Sequence, residues 1–117
     1  MRLYSKTHEW FDTSTKEVGI TNFAAEELGD IVYVGLPEID DEVVAGEQFA
    51  DIESVKAVAE IYSPVSAIVA DVNEKAINNP ALVNENAEKC WLIRVVDDAD
   101  TTGLMTREEY EQFILEH

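Results

Sequence analysis

A chain of 117 residues with 46% hydrophobic content can bury a core, and its surface-to-volume ratio favours one domain over residues 1–117. No stretch approaches the roughly 18 apolar residues that span a bilayer, and no apolar signal region opens the chain, so a soluble cytoplasmic protein is expected unless this is a processed mitochondrial matrix form. Asp and Glu number 25 against 8 Lys and Arg, a formal charge of −17 that repels phosphate backbones and anionic membranes, while one cysteine and two scattered histidines exclude an internal disulfide and offer no zinc site.

Short strand-like runs separated by turn residues favour an all-β sandwich or barrel. Residues 9–11 and 17–20 flank the polar stretch 12–16 and form a predicted hairpin. Asn22 is placed to cap a short helix over 23–28, which Gly29 ends. Residues 31–35 are a β-branched and aromatic run, stopped by Pro37 and an acidic loop at 38–42. Gly46 opens the next strand region. The segments 48–53 and 57–62 have almost nothing between them, which puts the reversal at Val55 and Lys56 and leaves Lys56 at a hairpin tip.

After Pro64, residues 67–72 form a predicted strand with Ile68, Ala70 and Val72 on one face. The polar segment 73–86, interrupted by Pro80, gives short helical turns. Trp91, Ile93 and Val95 suit one face of a last strand, with Trp10 and Trp91 in the core. Cys90, in the same strand, is expected to be a buried small hydrophobe and not a reactive thiol. Beyond a loop at 97–103, Thr106 and Glu109 make a T-x-x-E capping box for a helix over about 106–115, with Tyr110, Phe113 and Ile114 as its apolar stripe.

If Val55 and Lys56 are the loop residues, Ser54 pairs with Ala57, Ile52 with Ala59 and Ala50 with Ile61, an apolar or small face throughout. The opposite face pairs Glu53 with Val58, Asp51 with Glu60 and Phe49 with Tyr62, and directly opposed like charges destabilise a sheet. A lysine at an exposed turn is usually only a solvated charge. Here, however, a β-branched Val55 occupies a tight turn that normally prefers Asn, Asp or Gly, and the lysine stands among acids.

Glu53-Ser54-Val55-Lys56-Ala57 resembles the lipoyl-attachment signature of the glycine cleavage system H proteins, with Glu60 where that family is commonly acidic. The resemblance extends over nearly the whole chain. It is carried by His8-Glu9-Trp10, Val18-Gly19-Ile20-Thr21, Glu27-Leu28-Gly29-Asp30-Ile31-Val32 and Leu36-Pro37-Glu38, in the family's order. Tyr62-Ser63-Pro64-Val65-Ser66, Val72-Asn73, Pro80-Ala81-Leu82-Val83-Asn84 and Trp91-Leu92-Ile93 continue it. The chain departs from the family at Ala50, Ala67 and Cys90, commonly glycine, at Asp51, commonly small or apolar, and in a shortened loop before Trp91.

The resemblance implies a mainly β fold, a flattened barrel-sandwich hybrid of two small antiparallel sheets with short peripheral helices and a C-terminal helix. It implies a monomeric covalent carrier and not an enzyme, with lipoic acid on Lys56 and with Glu53, Ser54, Val55 and Ala57 read by a lipoate ligase or lipoyl transferase. The implied partners are a pyridoxal-phosphate glycine decarboxylase that loads an aminomethyl group, a tetrahydrofolate-dependent aminomethyltransferase that removes it, and a FAD-containing dihydrolipoyl dehydrogenase. Because the loaded group is a primary amine, cationic near neutral pH, a protecting cleft should offer carboxylates. By resemblance these are Glu9 and Glu60, and Asp51, opposite Glu60, is expected to strengthen that cleft or the ligase's recognition surface. The alternative is an H-like lipoyl relay or regulatory protein that passes lipoyl groups to other complexes. A third class is an interaction domain that is never modified.

Overall fold

A computed structural model of the chain describes residues 1–96 and 99–116. Two antiparallel sheets form and do not close on one another. One runs in the order β1 (Arg2–Tyr4), β2 (Glu9–Asp12), β3 (Glu17–Ile20), β9 (Ile93–Val95), β8 (Ala67–Val72) and β5 (Glu42–Val43). The other runs β4 (Ile31–Gly35), β6 (Gln48–Ser54), β7 (Val58–Tyr62). Among the described residues four short helices lie around them: α1 (Asn22–Leu28), α2 (Glu74–Asn78), α3 (Ala81–Glu85) and α4 (Arg107–Glu116). Among the described residues no helix is long and apolar enough to cross a membrane.

The first hairpin forms as its sequence dictates. Asp12 Oδ1 accepts from the amides of Ser14 (2.9 Å) and Thr15 (3.2 Å), and Lys16 takes the left-handed conformation (φ 65°) that closes the turn. Within it Trp10 pairs with Gly19, and the fully buried indole lies flat over that glycine. Its Nε1 donates to the carbonyl of Ile20 at 2.9 Å, and the Arg2 guanidinium covers the outer face 3.8 Å from the ring centre. The capping box at α4 is reciprocal: the Thr106 amide donates to Glu109 Oε1 (2.8 Å) and the Glu109 amide to Thr106 Oγ1 (3.2 Å).

Several expectations are corrected. Thr21, not Asn22, caps α1 by accepting from the Ala24 amide. Asn22 instead bonds across to Asn86 and Ala87, tying the helix to the segment after α3. β1 and β5 were not legible as strands: β1 is a three-residue segment, and β5 sits at the end of the acidic loop, where only Val43 is buried. In β8 a register shift between Val69 and Asp71 reverses the alternation, so Val69 is buried with Ala67 and Val72 beside it, while Ile68 faces out. Cys90 precedes β9, half-buried, with burial pushing its thiol pKa up. Trp91 is half-buried under the Arg94 guanidinium, and Leu92 takes the deep position. Ala50, Ala67 and Cys90 use ordinary backbone, since the described non-glycine residues at left-handed φ are His8, Lys16 and Asp40. Asp97 and Asp98, within the loop expected at 97–103, and His117 lie outside the described residues.

The core that positions the hairpin tip lies between the three-stranded sheet and α1 to α3, with Ala25, Ile31, Val34, Ala50, Ile52, Ile61, Ala76 and Val83 buried in it. A Cβ at Gly19 would lie 2.6 Å from Trp10 Cζ2. Gly19→Ala should therefore displace the indole and destabilise the chain by about 2 kcal/mol in urea denaturation, and an unchanged midpoint would show that the ring has room to move.

Candidate functional site

The β6–β7 hairpin takes the expected register. Ala50 pairs with Ile61, Asp51 with Glu60, Ile52 with Ala59 and Glu53 with Val58, while a shift between Gln48 and Ala50 pairs Gln48, not Phe49, with Tyr62. The turn closes with the Ser54 amide donating to the Ala57 carbonyl at 2.8 Å. Buried Ser54 supplies what a glycine or asparagine would otherwise provide: its Oγ accepts from the amides of Lys56 (3.3 Å) and Ala57 (3.1 Å). Val55 and Val58 are 71% and 70% exposed, and Lys56 is exposed between them.

A second set of contacts fixes this tip to the body. The Val55 amide donates to the carbonyl of Asp30 at 3.0 Å. The loop that carries Asp30 is held on both sides by Asn84 of α3, whose Nδ2 donates to Gly29 O (2.8 Å) and whose Oδ1 accepts from the Ile31 amide (2.9 Å). Gly29 ends α1 at φ 80°, and the Lys56 stem lies across it, with Cε 3.3 Å from where a Cβ would stand. The lysine stem thus lies against the C-terminal end of α1.

A cleft of about 410 Å³ lies between α1 and β7. One wall is the α1 face made by Phe23, Ala24, Glu27 and Leu28, at helical spacing, and the other is Ala59, Glu60 and Ile61 of β7. Thr7, His8 and Glu9 close its far end with Ile114 of α4, and Ile20 also contributes to the lining. Glu9 and Glu60 both contribute to this lining. Asp51 is not in the lining; it lies on the outer face of the sheet, with a carboxylate oxygen over Gly35. A second cleft of similar size, about 400 Å³, is lined by residues such as Asn73, Leu82 and Trp91 and, like the first, has no residue of the tip in its lining.

The two expected carboxylates differ in character. Glu9 is 2% exposed, and its Oε1 accepts from Ser5 Oγ (2.7 Å) and Thr7 Oγ1, while Oε2 accepts from the Tyr62 amide (3.2 Å). Burial pushes its pKa up, against the pull of those hydrogen bonds. Glu60 is exposed and accepts from Tyr62 Oη at 2.8 Å, a bond that raises the phenol's pKa. His8, at φ 74°, stacks on Phe23 with centroids 4.7 Å apart and bonds through Nδ1 to Tyr110 Oη (2.8 Å), which reaches Thr21 Oγ1 (2.8 Å). Desolvation lowers the His8 pKa from its ordinary 6.5 and Glu27 opposes the shift, so the net effect favours the neutral ring.

Glu27 and Asn84 were missed as site residues from sequence, although Glu27 falls four residues after Phe23 and so shares its helix face. The family model for the glycine cleavage H-protein matches residues 2–117. The chain belongs to this family. Relatives described as glycine cleavage system H proteins include one from Halalkalibacterium halodurans, 50% identical over 119 residues, covering 97% of this chain and 92% of the relative. Another, from Alkaliphilus oremlandii, is 46% identical over 115 residues (95% and 91% covered), and one from Lachnoclostridium phytofermentans 41% over 115 (96% and 91%). The crystal structure of a glycine cleavage system H protein from Mycobacterium marinum superposes with a TM-score of 0.84 at 35% identity, covering 95% of this chain and 94% of that one. The H-protein family is a lipoyl-carrying one, and the exposed lysine and its cleft lie within the matched residues.

Two measurements check this geometry. Asn84→Ala should speed hydrogen exchange at the Ile31 and Val55 amides by about tenfold or more, the loss of two hydrogen bonds worth roughly 1 kcal/mol each, while exchange in β8 stays unchanged. In an NMR titration His8 should show a midpoint below 6.5, and Glu27→Gln should lower it further, because Glu27 raises it. An upward movement would place Glu27 away from the imidazole.

Proposed function

We propose that this chain is the lipoyl carrier of a glycine cleavage system, with the lipoyl group held as an amide on Lys56 Nζ. The supporting observation is an exposed lysine on a hydrogen-bonded tip, its stem lying over Gly29 at the end of the helix that forms one wall of an apolar cleft rimmed by carboxylates. Four residues of α1 between Ala24 and Leu28 span about 6 Å, so an acyl arm leaving Lys56 past Gly29 can lie along that helix. When attached, the group supplies a strained disulfide, the electrophile for an aminomethyl unit that protein side chains lack.

The chain's own residues present and shelter the arm. Ser54 and the Val55 amide hold the tip at a fixed angle, so a ligase meets Glu53, Ser54, Val55 and Ala57 in one arrangement. Asp51, outside the cleft lining, belongs with Glu53 to the outer face that such an enzyme would read. Apolar residues on both cleft walls exclude water from the arm, and Glu9 and Glu60 offer charge to a cationic cargo. Acylation removes the positive charge of Lys56, and the tether then keeps the cargo near successive active sites at high effective concentration. Those sites would be the decarboxylase, the folate-dependent aminomethyltransferase and the dihydrolipoyl dehydrogenase.

Intact-mass analysis after co-expression with a lipoate ligase should give one lipoyl mass shift, located at Lys56 by peptide mapping and absent in Lys56→Arg. A chain that stays unmodified is no lipoyl carrier. Added to the decarboxylase, the modified chain should support exchange of carbon dioxide with the glycine carboxyl group. A modified chain that fails there acts as a lipoyl relay to other complexes.

A further inference from the structure

Asn84 is exposed on α3, a helix of five residues, yet both functions of its carboxamide are spent on a neighbouring stretch of backbone. We propose that Asn84 is a positioning residue for the acylation of Lys56, acting through segment 29–31 on the hairpin tip. This inference rests on the carrier reading for the reaction assisted and on hydrogen-bond geometry for the residue.

The backbone groups of the segment alternate in direction. The Gly29 carbonyl and the Ile31 amide bond to Asn84 at 2.8 and 2.9 Å, while the Asp30 carbonyl between them receives the Val55 amide at 3.0 Å. The same segment meets the lysine a second time, because the Lys56 stem lies across Gly29. Asn84 is held in turn through its neighbour Val83, fully buried in the cluster with Ile31, Val34 and Ile52. At an exposed loop, water could satisfy the Gly29 and Ile31 groups, so folding alone does not call for this side chain. A carboxamide supplies the donor and the acceptor that the pair requires, and an isosteric carboxylate would set an oxygen against the Gly29 carbonyl.

The consequence lies in the acyl transfer. A ligase that holds an acyl adenylate, made from lipoate and ATP, must receive a lysine on a tip of fixed shape. Lys56 gives one proton to solvent, and its neutral Nζ attacks the acyl carbonyl to form the C–N bond. The C–O bond to the phosphate breaks with its electron pair leaving on AMP, the second N–H proton goes to solvent, and nothing is oxidised or reduced. Segment 29–31 touches none of these atoms. It sets the fraction of free chains that present the tip in the shape the enzyme binds. When that fraction falls, apparent affinity falls in proportion, while the saturated complex turns over as before. Asn84 therefore acts on KM and not on kcat.

Steady-state lipoylation of the full-length chain by a lipoate ligase with lipoate and ATP, followed by intact mass, tests this role. Asn84→Ala and the isosteric Asn84→Asp should raise the KM for the chain about three- to tenfold, with kcat within about twofold of the wild-type value. In the free chain, nitrogen-15 relaxation should show order parameters of the Val55, Lys56 and Ala57 amides falling from about 0.85 toward about 0.6 in both variants, with β8 and β9 unchanged. Asn22→Ala also removes two side-chain hydrogen bonds, those between α1 and the segment after α3, and should leave KM and tip order unchanged. A KM unaffected by Asn84→Ala, or an equal rise in Asn22→Ala, would overturn the proposal. So would a raised KM with the free tip as rigid as before, since the ligase would then be reading Asn84 directly. A wild-type chain that takes no lipoyl group would instead refute the carrier reading, and the relaxation data would still decide whether Asn84 orders the tip.

Discussion

The hydrogen bond from the Val55 amide to the Asp30 carbonyl decides where Lys56 can be. A two-residue turn at the end of a hairpin normally moves with the full freedom of its strands. Here one side of the turn is tied to the loop between α1 and β4, and that loop is clamped by Asn84 from α3. Position therefore passes from a helix, through a side-chain amide, to a loop and then to the tip. Each link is a backbone group that would otherwise be left to solvent, so the anchorage uses polar groups that needed partners anyway. The lysine is consequently exposed without being free to sweep. Its stem rests over Gly29, the one residue type that both tolerates the local φ of 80° and leaves room for the methylenes.

Glu9 shows how the same cleft constrains stability. Its carboxyl pKa is raised in the folded chain, first by desolvation, so the folded state holds that proton more readily than the unfolded one. The stabilising contribution is complete below the ordinary value of 4.5 and is lost as pH rises through the folded-state value. The buried carboxyl is held by donors from Ser5, Thr7 and Tyr62, which join β2 to the end of β7. The arrangement accepts a desolvation cost in exchange for a carboxylate whose orientation is fixed. Glu27 and Glu60, by contrast, stand at the exposed rim and carry little of that cost.

Much of this was legible in the sequence, for identifiable reasons. The β6–β7 register follows from alternation on both strands, because a slip of one residue would expose Ile52 and Ile61 together. The capping box at Thr106 and the glycine end of α1 are local signals that need no tertiary context. What was not legible depends on non-local partners. The β8 bulge and the Gln48–Tyr62 pairing are register shifts, which alternation cannot announce. Asn22 has the ordinary side chain of a cap and lost that role to Thr21 because its amide is engaged by Asn86 and Ala87, far along the chain. Asn84 resembles any polar residue in a short helix until the 29–31 loop folds against it. The tip was readable as an anomaly, a valine and a lysine where a turn prefers asparagine or glycine, and the Ser54 hydroxyl explains how the backbone tolerates it.

The same reasoning accounts for the opposed Asp51 and Glu60, which local sheet energetics disfavour by a few tenths of a kcal/mol, up to about 1. Asp51 sits on the outer face of a three-stranded sheet whose two edge strands, β4 and β7, are both uncovered by a further strand, and Glu60 stands opposite it on the β7 edge, at the rim of the cleft. That face also carries Tyr33 and Val58, 46% and 70% exposed, in one lateral row with Glu53, and Val32 is pushed outward by the bulge between Ile31 and Tyr33. An exposed apolar row on an open sheet is a template for self-association, and charges placed on and beside it are the usual countermeasure. Asp51, Glu53 and Glu60 interrupt the row from neighbouring positions, within a chain whose net charge of −17 already keeps copies apart. A chain that presents apolar surface beside an exposed lysine gains more from that repulsion than its sheet loses to one like-charged pair.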